Sequence, residues 1–150
     1  MSNVAVFTTR YNGRQPRLIN EAYIISGDDR MHTDTAQWDT GATRTCVSKA
    51  VIDRLGLIPV GQNMVRTPSG EKMLPMYVVD VLLRNNVLVK DALVMGSEIG
   101  GQGIDILIGM DIIGMGDFAV TNVNGNTVFS FRIPSIEEID FLKQVQPSST

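Results

Sequence analysis

The stretch QWDTGATRTCVS, residues 37 to 48, places a single carboxylate, Asp39, between a tryptophan and a Thr-Gly pair. A carboxylate that its surroundings hold against a reacting group can act as a general acid or a general base. Gly41 permits a sharp turn, and the hydroxyls of the next threonines can bind backbone amides of the loop. These residues predict a rigidly held carboxylate. A plain turn aspartate that caps local amides is the structural alternative.

The residues before this loop alternate as in a β-strand, HTDTAQWD, from 32 to 39. Because successive side chains of a strand point to opposite faces, the pattern predicts two sets of residues. One set is Thr33, Thr35, Gln37 and Asp39, and the other is His32, Asp34, Ala36 and Trp38. The carboxylate is thereby delivered at the end of a strand.

Other reactive groups are scarce. His32 is the only histidine and Cys46 the only cysteine, so a Ser-His or Cys-His pair has little support, and we expect Cys46 to be a small buried residue. The segment GSEIGGQG lacks the Lys-Ser/Thr of a phosphate loop, and the aspartates lack the spacing of a calcium loop. The sequence predicts neither a metal nor a cofactor.

The elements around these residues are mainly strands. Short apolar runs rich in Val and Ile, such as VAVFTT, AYIIS, MYVVDVLL and TVFSFRI, are separated by turn residues. Asn124-Gly125 predicts a two-residue hairpin turn. Ser48 and Gly56 are placed to begin and end a helix over KAVIDRL, and Ser135 with Glu138 predicts a capping box ahead of a helix over IEEIDFLKQV. The polar residues 146–150 are expected to fray.

The length and charge of the chain limit the number of domains and the kinds of partner that we expect. The 150 residues are 43% hydrophobic and carry a net charge of -3, which predicts a single domain over 1–150. Without a cluster of Lys and Arg we expect no nucleic-acid partner, and without a run of roughly 18 apolar residues we expect no membrane partner. The single cysteine and the start of the sequence, which does not resemble a signal peptide, predict a cytoplasmic protein.

Two motifs give a specific resemblance. Asp39-Thr40-Gly41-Ala42 matches the D-T/S-G-A signature of aspartic peptidases, and Leu107-Ile108-Gly109, about 70 residues later, resembles their second signature. The segment between them, MVRTPSGEKMLPMYVVDVLL, resembles the family's flap hairpin, with Pro68 and Gly70 suited to positions i+1 and i+3 of its turn. The sequence is identified as similar to retropepsin-like (retroviral-type) aspartic proteases, as a bacterial or phage-type member. The resemblance covers about residues 20–131.

This resemblance implies an all-β, single-domain closed barrel with a flap hairpin, a short helix after the second signature and a C-terminal helix in the extension 132–150. The chemistry needs two aspartates that share one proton, whereas the chain has one D-T/S-G. The resemblance therefore implies a homodimer in which each copy contributes Asp39.

The resemblance also assigns roles. Asp39, Thr40 and Gly41 are the expected catalytic residues, with Thr40 bound to the partner's loop across the dimer axis. Residues expected to contact an extended peptide substrate lie in the catalytic loop, the flap and the second signature: Ala42, Thr43, Thr67, Pro68, Ser69, Gly70 and Ile108. Apolar side chains near the cleft, Met64, Met73 and Ile108, would favour hydrophobic substrate residues beside the scissile bond.

Some positions depart from the retroviral pattern. Thr43 and Met110 stand where retroviral members carry an acidic residue and an arginine that pair across the dimer, which indicates a different way of bracing the subunits. Trp38 is expected to be a packing anchor, and Asp111 to cap the short helix. The C-terminal extension would cover a sheet edge or the dimer seam.

Two classes of function remain open at this point. One is an active homodimeric aspartic endopeptidase. The other is a catalytically silent relative whose dimer binds peptides or assists assembly, since a fold alone does not determine function. The intact Asp39-Thr40-Gly41 favours the first, whereas the flap turn TPSGE, less rich in glycine than the retroviral one, leaves room for the second.

Overall fold

A computed structural model describes residues 3–145, and the fraying predicted for 146–150 lies outside these residues. The elements are ten strands and three short helices. The strands are β1 (Ala5–Arg10), β2 (Leu18–Ser26), β3 (Asp29–Trp38), β4 (Cys46–Val47), β5 (Gly61–Thr67), β6 (Gly70–Leu82), β7 (Leu88–Gly96), β8 (Ile106–Ile108), β9 (Asp117–Thr121) and β10 (Val128–Ile133). The helices are α1 (Lys49–Leu55), α2 (Met110–Ile113) and α3 (Phe141–Gln144). None of these helices is long and apolar enough to cross a membrane.

Seven strands form the larger sheet, in the order β2-β3-β8-β4-β7-β6-β5. An additional antiparallel pairing between β2 and β6, centred on Ile24 and Val81, links six of these strands in a ring. Closing the sheet on itself leaves β5 as its one edge strand among the described residues. The mainly β architecture and the barrel predicted from the sequence are confirmed.

A smaller antiparallel sheet, β1-β10-β9, packs against the ring through aromatic side chains. Trp38, at the end of β3, lies 5.0 Å between ring centroids from Phe131 and 5.6 Å from Phe7 and from Phe129. Each buried aromatic ring removes roughly 150–250 Å² from water, so this cluster is a major part of the core. It fixes the strand that leads into Asp39.

One local prediction is confirmed, and a second holds only for the backbone conformation of its turn residues. Ser48 caps α1 by accepting a hydrogen bond from the backbone N–H of Val51, and Gly56 ends the helix in the left-handed conformation. Asn124 and Gly125 have the positive φ that was predicted, 56° and 77°. The two-residue hairpin turn itself is wrong, because β9 ends at Thr121 and β10 begins at Val128, which leaves residues 122–127 as the connection.

The predicted alternation along β3 is wrong at one point. Asn20 pairs with Ala36 but Ala22 pairs with Thr33, so two residues of β3 lie opposite one residue of β2. This β-bulge shifts the side-chain phase by one residue, and Thr33 is therefore buried on the same side as Ala36 and Trp38. The Thr33 hydroxyl donates to Asp105 at 2.7 Å, which ties the bulge to the start of β8.

The C-terminal helix is shorter than predicted. It is a single turn, α3, capped by Asp140, and residues 134–140 form no regular secondary structure. Ser135 does not form the predicted capping box with Glu138, because its hydroxyl donates to the Asp117 carboxylate. The competing acceptor on β9 explains why the local helix signal did not decide the conformation.

Candidate active site

The loop that carries Asp39 runs from β3 to β4 and passes over the end of the strand between them. β8 pairs in parallel with β3 and antiparallel with β4, so the loop 39–45 must cross β8 where β8 ends at Ile108. The Asp39 N–H donates to the Ile108 carbonyl at 2.9 Å, and the Met110 N–H donates to the Ala42 carbonyl at 2.7 Å. Main-chain hydrogen bonds on both sides of Gly109 therefore fix the second signature to the loop 39–45.

Gly109 lies directly beneath this loop. A methyl group built on it would stand 2.7 Å from the Ala42 carbonyl oxygen and 2.9 Å from the Arg44 carbonyl carbon. Both neighbours are backbone atoms and cannot move aside like a flexible side chain. The glycine of the second signature is thus required by close packing, since its φ of -99° is open to any residue.

Thr45 and Asp111 form a second tie between the two signatures. The buried Thr45 hydroxyl donates to the Asp111 carboxylate at 2.7 Å and accepts from the Gly109 N–H at 3.1 Å. The Thr45 N–H also donates to Asp111, at 2.9 Å. Asp111 lies inside α2, whose N-cap position is Gly109, so the capping role predicted for Asp111 is wrong. Its carboxylate holds the catalytic loop instead.

The sequence analysis considered Thr45 and Asp111 separately and did not predict that they bind each other. The three threonines after Asp39 were expected to bind amides of their own loop. The Thr45 hydroxyl instead bonds residues 64 and 66 positions away. Only the juxtaposition of β4 and β8, which the sequence does not show, brings these groups together.

The Asp39 carboxylate accepts a hydrogen bond from the Gly41 N–H at 2.8 Å. A methyl group on Gly41 would lie 3.1 Å from the same oxygen, so a larger residue after Thr40 would press on the carboxylate. Asp39 is partly buried, whereas Thr40 and Thr43 are exposed and Ala42 is partly buried. One face of the carboxylate-bearing loop is therefore open at the surface of this chain.

Trp38 is the packing anchor that the sequence predicted. It is almost fully buried, and its indole N–H donates to the Asn20 side-chain oxygen at 3.0 Å. Asn20 donates in turn to the Thr9 hydroxyl at 3.1 Å. This chain of bonds satisfies the polar groups of a buried aromatic cluster and fixes the end of β3 immediately before Asp39.

Ile108 does not have the surroundings expected of a substrate-binding residue. Its side chain is 0% exposed and belongs to the hydrophobic core of this chain. The prediction that it contacts substrate is corrected, because residue 108 follows the inward phase of β8 as Ile106 does. Its contribution to the site is the carbonyl that accepts from Asp39.

The flap residues form the predicted hairpin. Thr67 pairs with Gly70 at the tip between β5 and β6, and the Thr67 hydroxyl donates to the Gly70 carbonyl at 2.7 Å. Pro68, Ser69 and Gly70 are exposed and Thr67 is partly buried. Met64 and Met73 face each other across the hairpin, both about half exposed. These residues are available to a ligand.

Two groups outside the loop have other possible chemistry. Burial, followed by the nearby Asp111 charge, raises the pKa of the Cys46 thiol, which disfavours a thiolate nucleophile. Glu21, His32 and Asp34 could offer metal ligands, with ligand atoms within 4.8 Å of one another. All three are exposed, and Arg84 lies 3.9 Å from Glu21, as expected for a surface ion-pair group. The absence of a metal from the site stays a prediction.

Comparisons with known proteins agree with this arrangement. A family profile described as gag-polyprotein putative aspartyl protease matches residues 31–115, which include the loop 39–45, the flap hairpin and the second signature. A search among curated proteins finds no match.

Two solved structures are similar to this chain. A retropepsin-like aspartic protease from Rickettsia conorii is 13% identical, with a TM-score of 0.56, and the match covers 89% of this chain and 98% of that one. The Simian Foamy Virus (mac) protease is 26% identical over 65% of this chain and 92% of that one, with a TM-score of 0.46. The similarity to the Rickettsia protein confirms the predicted retropepsin-like fold.

Proposed function

Because the chain belongs to the gag-polyprotein putative aspartyl protease family, we propose that two copies form a homodimeric aspartic endopeptidase with one Asp39 from each copy. The observation that carries the proposal is the way in which the fold holds Asp39 in place. A partly buried carboxylate is held at the open end of a strand, in a loop that makes two main-chain hydrogen bonds with one distant segment, residues 108–110. A turn aspartate with only a local capping role needs no such support.

The dimer follows from the count of carboxylates. Two aspartates at close range share one proton, so one can act as base while the other donates. The family profile covers one Asp-Thr-Gly in this chain. The exposed Thr40 and Gly41 leave the loop open for a second copy related by a twofold axis.

In the proposed reaction, the unprotonated carboxylate takes a proton from a bound water while the protonated one donates to the carbonyl oxygen of the scissile peptide bond. The water attacks the carbonyl carbon, the carboxylate that took the proton from the water gives it to the leaving nitrogen, and the bond between carbon and nitrogen then breaks. Gly41 would present its carbonyl to the peptide, and the Thr40 hydroxyl would bind the loop of the second copy.

The flap would close over an extended peptide. Its exposed edge strand β5 and the tip Thr67–Gly70 can offer main-chain hydrogen bonds, and closure would exclude water. Met64 and Met73 would give the cover an adaptable apolar surface. Ala42 and Thr43 would line the opposite side of the cleft. We place the enzyme in the cytoplasm, since its single buried thiol needs no oxidising compartment.

The test is an assay with a mixed peptide library between about pH 4 and 7, a range suited to a carboxylate dyad. Wild type should cut peptides at sites flanked by apolar residues, and a statine-type inhibitor should stop the reaction. Asp39→Asn should lose activity by roughly 10²–10⁴-fold while its circular dichroism is unchanged. Cleavage that survives this substitution would exclude the aspartic mechanism. A folded dimer that cuts no peptide would instead support the silent peptide-binding module.

A further inference from the structure

The outer face of β2 and β3 brings together three side chains that can bind a metal ion. Glu21 lies on β2, and His32 and Asp34 lie on β3, on either side of the buried Thr33. His32 Nε2 stands 3.3 Å from Glu21 Oε2 and 3.6 Å from Asp34 Oδ1. The three ligand atoms all lie within 4.8 Å of one another. One imidazole nitrogen therefore faces two carboxylates that come from different strands.

The pairing of the two strands explains why these side chains share one face. Ala22 pairs with Thr33, and at the next step toward the bulge residues 34 and 35 both lie opposite Glu21. The carboxylates of Glu21 and Asp34 are therefore neighbours across the sheet. Like charges placed opposite each other destabilise a sheet, and a cation between them removes that cost. The arrangement thus favours a bound cation.

Neighbouring side chains hold two of the three groups in place. The Tyr23 ring, at the paired position of β2, lies 5.0 Å from the His32 ring between centroids. Arg84 lies 3.9 Å from Glu21 Oε1, whereas Glu21 Oε2 faces His32. Side chains behind the ligands that fix their orientation are a general feature of metal sites. Glu21 and His32 are therefore held with less freedom than isolated surface side chains have.

The distances and the ligand types indicate which ion fits. In a tetrahedral site with bonds of about 2.0–2.2 Å to nitrogen and oxygen, neighbouring ligand atoms stand roughly 3.3–3.6 Å apart. The two distances from His32 Nε2 have these values. An imidazole with carboxylates suits Zn²⁺, whereas Mg²⁺ and Ca²⁺ prefer oxygen ligands alone. Three protein ligands would leave one position for water.

We propose that Glu21, His32 and Asp34 form a surface binding site for a divalent transition ion, of which Zn²⁺ is the best match. The sequence prediction of no metal rested on the spacing of aspartates along the chain and did not consider ligands from two paired strands. The proposal does not depend on the shared Asp39 site. A bound ion would link β2 to β3, the strand that leads into Asp39, and would stabilise the folded chain.

A zinc titration of the untagged Asp39→Asn protein tests the site. This background removes self-cleavage and also the carboxylates of the proposed dyad, which could themselves attract a cation. Because His32 is the only histidine, labelling histidine with nitrogen-15 gives a single imidazole to follow by NMR. Saturating ZnCl₂ should shift the His32 Nε2 resonance, bind in a ratio of one ion to one chain and raise the melting temperature.

Variants of the ligands identify the site by calorimetric titration. His32→Gln should weaken zinc binding by at least about 10–100-fold, since changes behind a ligand alone have effects of this size. Glu21→Gln with Asp34→Asn should weaken it as much, and both variants should stay folded because all three residues are exposed. The matched control is Asp28→Asn with Glu98→Gln, which removes the same charge from exposed positions elsewhere. The control should bind zinc as the parent does.

Three results would overturn the proposal. The first is a parent protein that takes up no zinc in a saturable way and whose His32 resonances do not move. The second is unchanged affinity in His32→Gln, which would place the ion elsewhere. The third is a control pair that weakens binding as much as the ligand pair does, which would mean that zinc responds only to overall negative charge. None of these results bears on the peptidase assay, so the two proposals fail or stand separately.

Discussion

The catalytic loop and the flap are the two halves of the candidate site, and they are built in opposite ways. The loop is fixed by bonds to residues more than 60 positions away, with a buried threonine and a glycine beneath it. The flap strand β5 has no fully buried residue and is the edge of its sheet. β5 is held mainly by its antiparallel pairing with β6. The hairpin is also held by Val65 of β5 and Leu74 of β6, which pack on a small buried cluster that contains two methionines.

This difference matches two separate requirements of the proposed chemistry. Acid–base groups must be held close to their reactive geometry, so the segment that carries Asp39 has rigid support. A cover that admits a peptide must open at low cost, so it has few buried contacts. Substitutions should therefore affect stability and activity together in the loop but separately in the flap.

The largest effect is expected from Gly109→Ala. The added methyl group would lie 2.7 Å from a backbone oxygen, and relief would require the catalytic loop to move. We expect a loss of about 3 kcal/mol in the free energy of unfolding and a corresponding loss of peptidase activity. Gly101→Ala is the matched control, since its methyl group would meet nothing within 4 Å. Urea denaturation measures both, and equal stabilities would contradict the close-packing account.

Removing the tie between Thr45 and Asp111 should have the next largest effect. Thr45→Val keeps the shape of the side chain but leaves the buried Gly109 N–H without its acceptor. The expected cost is about 1–3 kcal/mol, with lower kcat/KM because the loop is less firmly held. Thr121→Val, at an exposed strand end, should change stability by less than about 0.5 kcal/mol. A fully stable and active Thr45→Val protein would show that the tie is dispensable.

The pH dependence of thermal stability tests how firmly Asp117 anchors the segment after β10, residues 134–145. The hydrogen bond from the Ile136 N–H, then those from Ser135 and Arg132, hold the pKa of the Asp117 carboxyl well below its usual range. A depressed pKa stabilises the fold above the ordinary aspartate pKa, near 3.9, and this stabilisation is lost as pH falls below that value. Wild type should therefore melt above Asp117→Asn at pH 7, and the difference should narrow below about pH 4. The exposed Asp28→Asn control should melt like wild type throughout.

The flap should respond with the smallest change in stability. Thr67→Val removes the hydroxyl that donates to the Gly70 carbonyl, which should loosen the tip by roughly 1 kcal/mol. Local hydrogen exchange in the flap should then accelerate by about fivefold, while the global free energy of unfolding changes by less than about 0.5 kcal/mol. A drop in global stability as large as that of Thr45→Val would show that the two regions are not built differently.

The sequence predicted those features that depend on local chemistry. The cap at Ser48, the positive φ of Asn124-Gly125 and the flap turn at Pro68 all follow from residues next to each other. The position of Asp39 at the end of a strand also follows from local alternation, and the family resemblance supplied the order of the two signatures.

Features that depend on tertiary partners were not predictable. The bulge in β3 arises from its register with β2, and it reverses the phase that alternation gave to Thr33. The burial of Ile108 and the bond between Thr45 and Asp111 follow from the place of β8 between β3 and β4. The C-terminal helix is shorter than predicted because Asp117, on β9, binds Ser135 and Ile136, where the helix was expected to begin.

The central claim is that each active site needs one Asp39 from each of two chains. It is tested most directly by mixing wild-type and Asp39→Asn chains at constant total concentration, after exchange of subunits, and measuring peptidase activity. A shared site predicts that activity follows the square of the wild-type fraction, so an equal mixture retains about a quarter of the activity of wild type. Activity proportional to the wild-type fraction would mean that each chain holds a complete site, and would contradict the account.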